Sequence, residues 1–204
     1  MNMKEKSYEM CRALAAEYDG WEFQGGGFVC KRHKPFVLGL DVFAKVAMSH
    51  VSLQAIEWVK VGPIVRSIKV LFPKYKIPCH FTRQPKNEDG SIFVGVYSDI
   101  SQLEPVIEKF VRSAIPNAST RYCLDGIEEF AEQFPQDNPF NFIGMQGVHY
   151  CLLRMLVGDF DYIKKCYEEA LAGNNDYRFD ELGQIMPLLE EMESNLKRTG
   201  RLMK

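Results

Sequence analysis

No run of apolar residues in this chain approaches the roughly 20 that carry a helix across a bilayer. The opening Met1-Asn2-Met3-Lys4-Glu5-Lys6 has no apolar core of the signal-peptide kind. Neither membrane insertion nor export is expected. Cysteine is present but unorganised: Cys11, Cys30, Cys79, Cys123, Cys151 and Cys166 are scattered, with no CxxC pair. A stapled scaffold needs a dense framework of paired cysteines, so these read as reduced structural thiols of a cytoplasmic protein. Catalytic signatures are missing too, with no Gly-x-Ser-x-Gly elbow and no His-Glu-x-x-His. The run Gly25-Gly26-Gly27 is followed by no Lys-Ser/Thr and opens no helix, which rules out a Walker loop. Between two apolar stretches it predicts a tight hairpin turn, because glycine takes positive φ without steric cost.

At 204 residues, 46% of them apolar, the chain is long enough to bury one sizeable core. Residues 36–61 organise it. Phe36, Leu38, Leu40, Val42, Ala44 and Val46 alternate with Val37, Gly39, Asp41, Phe43 and Lys45, the period of two that sends strand side chains to opposite faces. After Met48-Ser49-His50 the pattern resumes in Val51, Leu53 and Ala55, then changes parity to Ile56 and Trp58. A long antiparallel hairpin is predicted, with a bulge or a half-covered face near residues 55–57.

Around this hairpin the periodicities change. Residues 4–18 form an amphipathic helix carrying Cys11, Leu14, Ala15 and Tyr18, ended by Gly20. Residues 21–23 and 28–31 are short strands. Pro63 opens a helix with Ile64, Val65, Ile68, Leu71 and Phe72, and Pro73 closes it. Residues 77–82 and 91–97 predict a second hairpin over the turn-rich segment 84–90. From about Ser98 the signal is helical. Asp99 or Ser101 caps a helix with Leu103, Val106, Ile107, Phe110 and Val111, and Asp125 with Glu128 forms a capping box before Ile127, Phe130, Ala131 and Phe134. Residues 144–157 are apolar nearly all round, as in a buried helix. Asp159 or Asp161 caps the next helix. The last, about 180–198, is kinked or started by Pro187.

Strands first and helices afterwards indicate an α+β fold, an antiparallel sheet packed against N-terminal and C-terminal helices. One domain is expected over residues 1–204, with helix plus strands in 1–97 and a helical subregion in 98–204. Charge follows the same division. Residues 1–88 hold 14 Lys/Arg and 8 Asp/Glu (net +6), and residues 89–204 hold 11 and 19 (net −8).

Cys30-x-x-His33 with Cys79-His80 supplies four possible zinc ligands. A closed zinc site takes them from two close-spaced pairs of recognised spacing, which this is not, so no metal and no cofactor is expected. An enzyme using Cys/His chemistry in a sheet–helix cleft, with His80 or His149 beside a thiol, is the alternative reading. Nucleic acid binding would need Lys31, Arg32, Lys34, Lys69, Lys74, Lys76, Arg83 and Lys86 on one face beside stacking aromatics. Apolar core interrupts them, and the pI is near 6.1. The favoured site is acidic. Glu128, Glu129, Glu132 and Asp137 gather on one helix and the break after it, and Asp159, Asp161, Glu168 and Glu169 on another. Side by side, near Phe140 and Tyr162, such helices would steer a basic protein partner.

The order of elements resembles small bacterial cytoplasmic proteins of the immunity type and related uncharacterised α+β domain families. The shared outline is a leading helix, a Gly-Trp-Glu-Phe strand start at residues 20–23, a Phe-Val-Cys-Lys-Arg strand at 28–32, a long hairpin and trailing helices. The resemblance covers about the first hundred residues. It implies a noncatalytic inhibitor that occupies a cognate toxin, by analogy of fold.

Overall fold

The computed structural model describes residues 2–75, 81–83, 93–133, 146–174 and 181–204. The fold is α+β, an antiparallel sheet packed against helices. The chain forms two compact units, Met1–Val59 with Thr82–Tyr122, and Lys60–Phe81 with Cys123–Lys204. The units are interleaved in sequence, so the helix after residue 97 belongs with the strands.

In the first unit, helix α1 (Met3–Ala15) opens on a reciprocal cap that the sequence reading missed. The Asn2 side chain accepts from the Glu5 amide at 3.0 Å, and the Glu5 carboxylate accepts from the Asn2 amide at 3.1 Å. Two of the four orphan donors of the helix end are thereby satisfied. Strands β1 (Trp21–Gln24) and β2 (Gly27–Cys30) are joined through Gly25 and Gly26 at φ 63° and 91°, the predicted glycine turn.

The expected long hairpin is β3 (Phe36–Val46) and β4 (Val51–Val61), closed by an Ala47 amide to His50 carbonyl bond of 2.9 Å. With β5 (Phe81–Arg83) and β6 (Phe93–Tyr97) the sheet order is β1-β2-β3-β4-β5, and β6 also pairs with β4. The second hairpin is described only in part. Among the described residues β5 and β6 each bond to β4, which at 11 residues is long enough to serve two short strands. Residues 77–80 and 84–92 of that expected hairpin lie outside the described residues. The register slip on β4 falls between Leu53 and Gln54, opposite Gly95 and Phe93, slightly before the region expected.

Pairing of Trp21 with Cys30, Phe23 with Phe28, Phe28 with Leu40 and Cys30 with Leu38 puts all six side chains on one face. On that face α1 sets Tyr8 edge-on to Phe23, with ring centroids 5.2 Å apart. Helix α3 (Ile100–Arg121) packs beside α1 and against β3, burying the stripe Leu103, Ile107, Val111, Ile115 and Ala118. Asp99 caps it as predicted, accepting from the Ser101 amide at 2.9 Å. Arg112 of α3 pairs with both Glu17 and Glu108, and these carboxylates hold its guanidinium pKa above the ordinary value.

The second unit is helical. Helix α2 (Gly62–Leu71) has Pro63 in its first turn. Helices α4 (Ile127–Glu132), α5 (Gln146–Leu156) and α6 (Phe160–Leu171) follow. Helix α7 (Leu182–Ile185) and helix α8 (Leu189–Thr199) are separated by a 3-10 turn, Met186–Leu188. Pro187 therefore splits the predicted last helix in two, since its ring leaves no amide for the turn before. Helix α5 is central and packs against α2, α4 and α6. Val148, His149, Tyr150, Cys151, Leu152 and Leu153 are all buried, the all-round burial that its composition indicated. Among the described residues no helix is long and apolar enough to cross a membrane.

Candidate functional site

Helix α4 carries the first acidic group. Phe130 and Ala131 point inward, which leaves Glu128, Glu129 and Glu132 exposed. Residues three and four apart on a helix are neighbours, so Glu132 sits beside both of the others. Six residues are too few for a helix to persist by itself in water, and two contacts hold this one. Phe130 meets Phe81 edge-on at 5.4 Å between centroids, and Phe81 in turn lies 6.1 Å from the His149 ring on α5. At the other end the Gln133 side chain bridges back to Cys123, accepting from its amide at 2.9 Å and donating to its carbonyl at 3.0 Å. The predicted Asp125/Glu128 capping box is absent. Gly126 occupies the cap position without a side-chain bond, and the Gln133 bridge ties down the chain entering the helix.

Helix α6 carries the second group, with each carboxylate in a different setting. Asp159 is the cap, accepting from the Tyr162 amide at 3.1 Å and from Arg154 Nε at 2.9 Å. Asp161 pairs with Lys164 at 2.8 Å. Glu169 accepts from the Asn174 side chain at 3.2 Å, and Glu168 is exposed. The helix also bears Lys165, so its face is of mixed sign. Asp137 and Phe140 lie outside the described residues. The two acidic helices flank α5, which packs against both. Glu128, Glu129 and Glu132 thus form one coherent set, and Asp159 serves the fold. A sequence signal for this distinction exists: residues 122–153 contain no Lys or Arg at all, whereas α6 alternates in charge.

The Cys/His candidates separate. Cys79 and His80 lie outside the described residues. His149 and Cys151 are two apart on α5, a rotation of about 200° that sends them to opposite sides of the helix. Cys151 instead meets Cys166 of α6. Its thiol donates toward the Cys166 sulfur, and this contact with burial raises the Cys151 pKa well above the ordinary thiol value. The same contact lowers that of Cys166. The Tyr162 hydroxyl is buried beside them, and desolvation pushes its pKa up. Thiol attack needs a thiolate and access, and both sulfurs are fully buried.

Among the described residues no group of three or more His, Cys, Asp or Glu is placed to hold a metal ion. Cys11, Cys30, Cys123, Cys151 and Cys166 are free thiols. No protein-family model matches this chain, and no curated protein or solved structure matches it.

Proposed function

We propose that this protein is a noncatalytic binding module that takes a basic protein partner on the α4 carboxylates, as an immunity-type inhibitor takes its toxin. The observation that carries the reading is the exposed trio Glu128, Glu129 and Glu132 on a clamped helix, in a stretch of chain free of Lys and Arg. Three carboxylates on two turns repel one another in the free protein. A cationic partner relieves that repulsion and is drawn in from a distance, which raises the association rate more than the final affinity. Holding α4 in place through Gln133 and Phe130 lowers the ordering cost on binding. Free thiols at buried positions fit a reducing cytoplasm.

The test is protection in co-expression. The chain is expressed in a bacterial host with the product of the gene adjacent to its own, and growth is followed with and without the chain. The reading expects growth arrest by the neighbour and rescue by the chain. Rescue should be lost in the Glu128→Lys/Glu129→Lys/Glu132→Lys variant and kept in Glu168→Lys. Equal rescue by the triple variant, with the purified variant folded by circular dichroism, would overturn the role of α4. A harmless neighbour would overturn the immunity reading.

A further inference from the structure

We propose that the cleft between α2 and the C-terminal segment binds a phosphate-class oxyanion. It involves none of the α4 carboxylates. One wall is the face of α2 that carries Pro63, Arg66, Ser67 and Val70, and the other is residues 201–204. The enclosed space is about 60 Å³, the scale of a single headgroup. The second wall is fixed in place. Gly200 at φ 67° turns the chain out of α8, Leu202 is buried to 1% exposure, and its carbonyl accepts from the buried Asn195 side chain at 3.5 Å. Anchoring Leu202 fixes the segment on which Arg201 and Lys204 join Arg66 in lining the cleft.

Three cations thus line one small cleft, and none of them pairs with a carboxylate among the described residues. Four other guanidinium groups, those of Arg32, Arg112, Arg121 and Arg154, do have acidic partners. The first turn of α2, at the Pro63 end of the cleft, also contains no acidic residue to balance its positive partial charge. The remaining lining, Pro63, Val70, Leu202 and Met203, is apolar. The Ser67 hydroxyl is committed to the Pro63 carbonyl at 3.1 Å, so the cations are the donors. Two guanidinium forks and an ammonium match a tetrahedral dianion with several acceptor oxygens better than a single carboxylate.

The intact protein is titrated with inorganic phosphate and, separately, with glycerol phosphate. Ionic strength is held constant with sodium chloride, and binding is followed by the 31P chemical shift and the unfolding temperature. Saturable binding of both supports the proposal and points to the free anion. Saturable binding of the ester alone supports it and points to a phosphorylated small molecule. Linear, non-saturating responses to both overturn it. In Arg66→Gln/Arg201→Gln the affinity should fall by about tenfold or more, each lost group being a charge-assisted bond. Lys109→Gln, an exposed cation of α3, should leave it unchanged. The wild-type titration decides the matter even if the double variant does not fold.

Discussion

Arg121 Nε lies 3.4 Å from the Glu57 carboxylate, and Glu57 is only 2% exposed. Glu57 belongs to the parity of Val51, Leu53, Ala55, Val59 and Val61 on β4, so it sits in the apolar row. Arg121, the last residue of α3, meets it there, which shows that α3 covers this face of the sheet. Burial of a carboxylate is costly unless it is paired. Arg121→Met leaves that charge without its guanidinium and should cost about 3 kcal/mol, the lower end for a buried pair because Arg121 keeps some solvent contact. Glu57→Gln should cost less, and Glu57→Gln/Arg121→Met should lose less than the two single changes together. Urea unfolding midpoints of the four proteins check this, and strict additivity would remove the pair from the account.

On the opposite face, a Cβ placed on Gly39 would lie 2.0 Å from Cζ2 of Trp58. Counting back from the Ala47–His50 closure brings the two residues level across β3 and β4, and the indole covers the glycine. Gly39→Ala must displace the ring and should destabilise by about 2 kcal/mol, the usual range for overpacking. Gly39→Ala/Trp58→Phe should recover part of the loss. Tryptophan emission in Gly39→Ala should also shift to the red as the ring moves toward water.

Cys11 is fully buried in α1, and burial raises its thiol from 9.0 to about 12. A raised pKa in the folded state means that the neutral thiol is the form the fold favours. Its contribution is complete below pH 9 and is lost as pH rises toward 12. Three pH units correspond to about 4 kcal/mol at the upper limit. Cys11→Ala removes the group, so its stability should fall less steeply between pH 9 and 11 than that of the parent. Parallel slopes in urea unfolding would show that Cys11 does not ionise on unfolding.

Asp159 has two duties that substitutions can separate. Asp159→Asn keeps an oxygen for the Tyr162 amide and loses the charge that meets Arg154. Asp159→Ala loses both. The expected order is parent, then Asn, then Ala, with about 1 kcal/mol assigned to the cap. Thermal unfolding of the three proteins measures the steps. Equal loss in Asn and Ala would mean that the ion pair alone matters.

How far the fold could be read from the sequence depends on the range of the contact. Alternation in β3, the glycine turn at Gly25-Gly26, Pro63 opening α2 and Asp99 capping α3 are local, and each was legible. Glu57 does not read as a core residue, because the Arg121 guanidinium that meets it lies on a helix many elements later. The division of β4 between β5 and β6 was hidden for the same reason, since neither short strand carries a signal for its neighbour. In the candidate site, the carboxylates of α4 and α6 looked equivalent as residue types. The fold ties Asp159 to Arg154 and the Tyr162 amide, while Glu128, Glu129 and Glu132 have no cation partner among the described residues. The facing of Cys151 and Cys166 depends on how α6 rotates against α5, which no spacing in the sequence encodes.

The interleaving of the two units also orders events on the ribosome. Helix α1 and strands β1 to β4 emerge first, with Glu57 set in the apolar row of β4. Tyr8 of α1 is there to meet Phe23 at once, but the α3 stripe and the Arg121 guanidinium arrive only after the whole of α2 has left the exit tunnel. A premature stop between residues 60 and 121 therefore leaves Glu57 without the Arg121 guanidinium.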